Sequence, residues 1–117
     1  MGTVHVARVY DRASLPEGRR FLVERLWPRG VRREDLELDG WVRDVAPSTE
    51  LRRWFGHDPD RWEEFRRRYT AELDAAPGAW RPLRDAARAG PVVLLSSARD
   101  EERNSAVALR DYLLAHR

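Results

Sequence analysis

The run PVVLLSS (residues 91–97) decides the fold. It is the most apolar stretch of the chain, opens after Gly90, and carries the β-branched pair Val92-Val93. Unbroken apolarity at strand length, with no polar residue at alternate positions, marks a strand buried on both faces, the central strand of a parallel sheet. ARDEERNSAVALRDYLLAHR (98–117) follows directly. There Ala106, Leu109 and Leu113, with Tyr112 beside them, recur at helical spacing, predicting a helix over about 101–115. A strand that feeds straight into a helix belongs to an α/β layer architecture.

Working outward, VHVARVY (4–10) alternates and is β-branched, so it reads as a strand, and RFLVERL (20–26) reads as a second, ended by Pro28 and Gly30. DGWVRDVA (39–46) divides between a short strand and a helical turn. The alternation of Trp41, Arg43 and Val45 with Val42, Asp44 and Ala46 favours a strand. Ser48 then caps a helix over TELRRWF (49–55) that stops at Gly56, and Asp58-Pro59 supplies a second cap and first-turn proline. Trp62, Phe65, Tyr69 and Leu73 form an aromatic stripe at helical spacing, which reads as core packing rather than a cofactor box. Pro77-Gly78 breaks that helix, and a third runs over about 79–89. The expectation is an α/β fold: a small single-domain layered structure, residues 1–117, with a mostly parallel sheet of three or four strands flanked by helices.

Composition narrows the function. At 117 residues the chain suits one domain with one modest core. It has no cysteine, which excludes disulfides, thiol nucleophiles and thiolate metal sites. No two histidines have ligand spacing, so no metal site is expected, and the sequence leaves any cofactor unknown. No apolar run spans a membrane and the first residues lack a secretory layout, so a soluble cytoplasmic protein is expected. All 22 basic residues are arginine, against 20 acidic. A GC-rich genome accounts for that total. The positions of individual arginines remain informative, because guanidinium binds planar anions bidentately. A net charge of +2 is too small to argue a nucleic-acid platform, and Arg66-Arg67-Arg68 lies among acidic neighbours.

Sites of parallel sheets lie beyond the carboxyl ends of strands. The second strand runs into Arg25, Trp27, Arg29 and Gly30, and the third into Ala46-Pro47-Ser48 with Arg52 a turn further on. The last strand runs into Ser96, Ser97, Arg99 and Asp100, with Asn104 after them. Arginines, two helix N-termini (near Ser48 and near Asp100) and a tryptophan face suit an anion attached to something flat. His57, in the turn WFGHDP, is the histidine best placed to move a proton, with Asp100 as the second catalytic candidate. Each residue has a plainer reading. Trp27 covers the sheet edge, and Arg25 and Arg29 clamp Glu24, Asp35, Asp39 or Asp44. Ser48 and Asp100 only cap helices, Asn104 faces solvent, and His57 steadies its turn. No nucleophile elbow, P-loop or dinucleotide fingerprint is present.

Taken in order, RVYD, LVERLWPRGVRREDL, DVAPSTELRRWFGHDPDRWEEFRRRYTAEL and VVLLSSARDEERNSAVALRDYL resemble the DUF488 family in its YeaO-like branch, over nearly the whole chain. The resemblance implies a compact α/β fold but no reaction. Its typical polar positions correspond here to Arg25, Trp27, Arg29, Ser48, Arg52, His57, Asp100 and Asn104. Glu24 stands where an aspartate is common in the family, and Ser96 where an aromatic is common. Names given to some relatives, a MarR-type regulator or a uroporphyrin methyltransferase, do not transfer. The chain shows no helix-turn-helix and is too short for a two-domain enzyme. Other branches of the family carry a cysteine-histidine-arginine element near the last strand, and thiol chemistry cannot transfer to a chain without cysteine.

The leading expectation is a pocket for an anionic small molecule, a nucleotide-like one included, with or without turnover. Arg25, Arg29 and Arg52 would bind the anion, Trp27 would stack, and Ser48 and Asn104 would hydrogen-bond. The alternative is a non-catalytic interaction or regulatory domain meeting a protein partner or a second copy of itself. Binding of nucleic acid ranks third.

Overall fold

The structure is a computed structural model that describes residues 3–116. Strand β4 (Val92–Ser96) sits between β1 (Val4–Arg8) and β2 (Arg19–Leu22), and all its residues are buried. A fourth strand, β3 (Gly40–Trp41), lies beyond β2, giving the order β1-β4-β2-β3 with every pairing parallel. Leu94 stands opposite Val6 and Phe21, and Leu95 opposite Ala7 and Leu22.

The pleat of β4 divides the core in two. Val92 and Leu94 enter a large cluster with Phe21, Leu51, Phe55, Phe65, Tyr69, Leu83 and Leu109. This is the face covered by α2 (Thr49–Phe55), α3 (Trp62–Asp74), α4 (Pro77–Ala89) and α5 (Ser105–Ala115). Val93 and Leu95 point the other way, into a smaller cluster with Val9, Leu22, Val31 and Leu36. That face is closed by the 3-10 turn Val9–Ser14 and by the segment around the one-turn helix α1 (Arg33–Leu36), with Trp27 and Trp41 packed at its margin. Full burial of a Val or Leu side chain is worth about 1.5–3 kcal/mol. A strand apolar at every position therefore gains most by lying between two covered faces, as β4 does.

The aromatic stripe on α3 is packing. Phe65 stacks on Phe55 at 4.4 Å between ring centres and on Tyr69 at 5.7 Å. The Tyr69 hydroxyl donates to the Val45 carbonyl at 2.6 Å, which satisfies both polar groups inside the core.

Some boundaries depart from the sequence reading. The ladder in 39–46 covers only Gly40 and Trp41, while Arg43–Val45 forms a 3-10 turn. Its partner β2 ends at Leu22, whose carbonyl takes a last bond from the Val42 N–H at 2.8 Å before the chain turns into Arg43–Val45. The last helix starts at Ser105 rather than near 101, because the side chain of Asn104, not that of Asp100, caps it by accepting from the Val107 N–H at 2.9 Å. α3 and α4 are separate as expected, but α4 starts at Pro77, a first-turn proline, rather than near 79. Among the described residues no helix is long and apolar enough to cross a membrane.

Candidate functional site

In an all-parallel sheet every strand ends on the same edge. A cleft of about 750 Å³ opens there. β2 contributes the run from Glu24 to Arg29, β4 contributes Ser97 to Asp100, and β1 leads to Tyr10. Ala46 and Pro47 follow from β3, and α2 adds Arg52, Phe55 and, just past its end, His57. Of the residues singled out in the sequence, Arg25, Trp27, Arg29, Arg52, His57, Asp100 and Asn104 all line this cleft. Ser48 does not.

Their commitments differ. Ser48 caps α2, accepting from the Leu51 N–H at 3.1 Å, and its hydroxyl donates to Glu72 at 2.6 Å. Asn104 is buried and its amide is used at both ends: Nδ2 donates to the Asp100 carbonyl and Oδ1 holds the Val107 N–H, each at 2.9 Å. Asp100 accepts from the backbone N–H groups of Glu102 and Arg103, both at 3.0 Å, and meets the Arg103 guanidinium at 3.4 Å. These donors lower its pKa and keep it ionised. Trp27 donates its indole N–H to the Val31 carbonyl at 2.6 Å and meets Trp41 edge-on at 5.3 Å, so it walls the cleft while closing the smaller core.

The arginines differ in what holds them. Many lie over aromatic faces: Arg33 over Trp27, Arg43 over Trp41, Arg68 over Trp54, Arg66 over Trp62 and Arg84 over Trp80. Several, some of these included, pair with carboxylates, as Arg67 and Arg68 do with Glu64. Arg25 clamps neither Glu24 nor an aspartate. It donates instead to the carbonyls of Ala46 and Pro47, tying the end of β2 to the entry of α2, while its buried Nε has no partner among the described residues. Among the described residues the side chains of Arg29, Arg52, Arg53, Arg81 and Arg99 alone of the arginines have neither an ion pair, a hydrogen bond nor an aromatic face. Of these, Arg29, Arg52 and Arg99 line the cleft.

His57 is exposed and adopts a left-handed backbone, φ 57°, directly after Gly56 at φ 53°. Gly30 also has positive φ, 72°, with open space where a side chain would start, so its role is the backbone angle and not close approach.

Glu24 was not among the candidate site residues. It takes the backbone N–H of Ser97 on Oε1 at 3.0 Å, bridging the ends of β2 and β4. Burial raises its pKa, against the opposing effects of Ser97, Arg52 and His57. Its signal in the sequence is its position as the first charged residue after the apolar run Phe21-Leu22-Val23. Tyr10 and Leu26 were missed as well. Among the described residues they are the large apolar side chains left exposed, and both lie on this cleft. Among the described residues no group of three or more His, Cys, Asp or Glu is placed to hold a metal ion.

The chain is 42% identical to the uncharacterized protein YeaO of Escherichia coli (strain K12) over 110 residues, covering 94% of this chain and 96% of that one. It is 41% identical over 111 residues to the uncharacterized protein Rv3073c of Mycobacterium tuberculosis, covering 94% and 92%. No solved structure matches it. A family model described as the inactive DUF488-N3 subclade (DUF488-N3i) matches residues 3–117, and the chain belongs to that family.

Proposed function

We propose that this chain binds a small anion in the cleft at the carboxyl ends of its strands and holds it without chemical turnover. The observation that carries this reading is the set Arg29, Arg52 and Arg99, cations that line one concavity and have no partner among the described residues. Most arginines elsewhere are neutralised or laid over aromatic rings. An anion entering the cleft would meet charged donors that need not first be stripped from a carboxylate. Trp27 and the exposed Tyr10 and Leu26 give the body of such a ligand an apolar surface, which suits a nucleotide-like or aryl anion.

Binding without turnover agrees with the family description "inactive" and with a chain that has no cysteine. It also fits Asp100, whose backbone donors make it a poor proton carrier. Nucleic acid suits the surface less well, since in the triplet Arg66-Arg67-Arg68 each guanidinium already meets Asp111 or Glu64.

The test is thermal unfolding against a panel of phosphates, nucleotides and small carboxylates, on the wild type, Arg29→Ala and Arg52→Ala. A ligand at 100 times its Kd stabilises by about 2.7 kcal/mol, which raises the midpoint of a domain this size by on the order of 10 °C. A rise lost in both variants supports the reading. No rise with any compound overturns it.

In that case the exposed Tyr10 and Leu26 favour a second reading, in which the rim meets a second copy of the chain. Sedimentation of the wild type and Leu26→Glu would then show a concentration-dependent mass that the variant loses.

A further inference from the structure

We infer that Glu24 sets which anions the cleft accepts: those that carry a hydrogen-bond donor of their own, hydrogen phosphate or a singly protonated phosphoryl group, over anions that only accept. The inference rests on the anion-binding reading above and assigns its chemical class.

A carboxylate among arginines would ordinarily be an ion-pair partner. Glu24 is not one: among the described residues no guanidinium lies within ion-pair distance of it, and Arg25, next in the chain, turns to two carbonyls. Its donors come from Ser97, whose backbone N–H reaches Oε1 at 3.0 Å. Burial raises its pKa, and Ser97, Arg52 and His57 oppose that in favour of the ionised form. An ionised carboxylate accepts at about four lone-pair positions, so acceptor capacity remains on Glu24, which lines the cleft. Asp100, the other carboxylate on the cleft, is already occupied by two backbone N–H groups and Arg103. Glu24 is therefore the acceptor that a bound anion meets.

An oxyanion drawn in by Arg29, Arg52 and Arg99 brings oxygen toward that acceptor. If the oxygen bears a proton, it donates to Glu24 in a short charge-assisted bond. If it does not, two acceptors face each other in a partly desolvated space, and one is left unpaired. Phosphate and sulfate isolate this difference. They are nearly the same size and both tetrahedral, but at pH 7 phosphate retains at least one proton and sulfate retains none.

The experiment is calorimetric titration of the full chain at pH 7 and matched ionic strength with sodium phosphate and with sodium sulfate. Wild type, Glu24→Gln and Arg52→Ala are compared. Sites built around a donor from the ligand reject the analogue lacking it strongly. In this open cleft, phosphate is expected to bind on the order of tenfold or more tighter than sulfate. Glutamine presents an amide that can donate to either ion, so Glu24→Gln should bring the two affinities within about twofold of each other. Arg52→Ala should weaken both ions.

Equal affinities in the wild type overturn the role of Glu24 while leaving the anion site standing, and this arm needs no folded variant. A phosphate preference that survives Glu24→Gln overturns it as well. If neither ion binds the wild type, this inference falls. If the wider panel is also silent, the anion reading falls with it.

Discussion

Glu72 holds Ser48 with both oxygens of its carboxylate: the Ser48 N–H donates to Oε1 at 2.8 Å and the Ser48 hydroxyl to Oε2 at 2.6 Å. The hydroxyl also accepts from the Leu51 N–H, so the N-cap of α2 is fastened to α3 by a single serine. Ser48→Ala removes the cap, and Glu72→Ala leaves a backbone N–H and a hydroxyl without their acceptor. Each should cost about 1–2 kcal/mol. Because the two residues act through one another, the double variant should lose less than the sum of the single losses, by at least about 0.5 kcal/mol. Urea unfolding of the three variants measures this. Additive losses would show that the pair contributes nothing beyond its separate parts. Affinity for any cleft ligand should be unchanged, since neither residue lines the cleft.

Tyr69 places its hydroxyl on the Val45 carbonyl at 2.6 Å, in the core between α3 and the turn after β3. Burial raises the phenol's pKa far above its ordinary value, so it stays a neutral donor across the physiological range. Tyr69→Phe preserves the ring and its stacking on Phe65 but strands the carbonyl. The expected loss is about 1–2 kcal/mol with an unchanged denaturant slope. A loss below about 0.3 kcal/mol would mean that the carbonyl finds another partner.

The fold was legible where one periodicity dominated. The apolar run 91–97 announced a strand covered on both faces, and the stripe from Trp62 to Leu73 announced a helix with one buried side. Segment 39–46 misled because alternation reports which side chains face inward, and a 3-10 turn that buries Val45 satisfies it as well as a strand does. The cleft was legible from the residues that each strand runs into, and its arginines are among them. Tyr10, beyond the end of β1, belongs to the same edge but carries no charge to mark it. Glu24 was obscured because a carboxylate among arginines invites an ion-pair reading. Which donors are already occupied depends on contacts between segments distant in the chain. Glu72 meeting Ser48 across 24 positions has no local signal, so Ser48 read as a ligand contact.

His57 occupies a left-handed backbone position, φ 57°, immediately after Gly56. Histidine and asparagine tolerate this region better than β-branched residues. His57→Asn should therefore leave stability within about 0.5 kcal/mol of the wild type, whereas His57→Val should lower it by about 1–2 kcal/mol. Thermal melts check this. Equal stabilities would show that the turn relaxes to another backbone angle. Ligand binding separates the two readings of this residue: a histidine serving only its turn leaves affinity intact in His57→Asn.

Glu24 should make the protein's stability depend on pH in the direction opposite to most carboxylates. Burial, the largest influence, raises its pKa in the folded state above the ordinary 4.5, despite Ser97, Arg52 and His57. Between the unfolded value and the higher folded one, the native protein holds a proton that the unfolded chain has released. Stability contributed by this group is then fully present below 4.5 and falls as pH rises through the folded value. Glu24→Gln removes the titration, so its stability relative to wild type should rise as pH climbs from 4.5 through the higher folded value. Carboxylates such as Glu64, held down to about 2 by Arg67 and Arg68, act in the reverse sense and are common to both proteins, so the difference cancels them. Denaturant midpoints of the two proteins across this range supply the measurement. A flat difference would mean that the carboxyl ionises in the folded protein as readily as in the unfolded chain, with Ser97, Arg52 and His57 offsetting the burial in full.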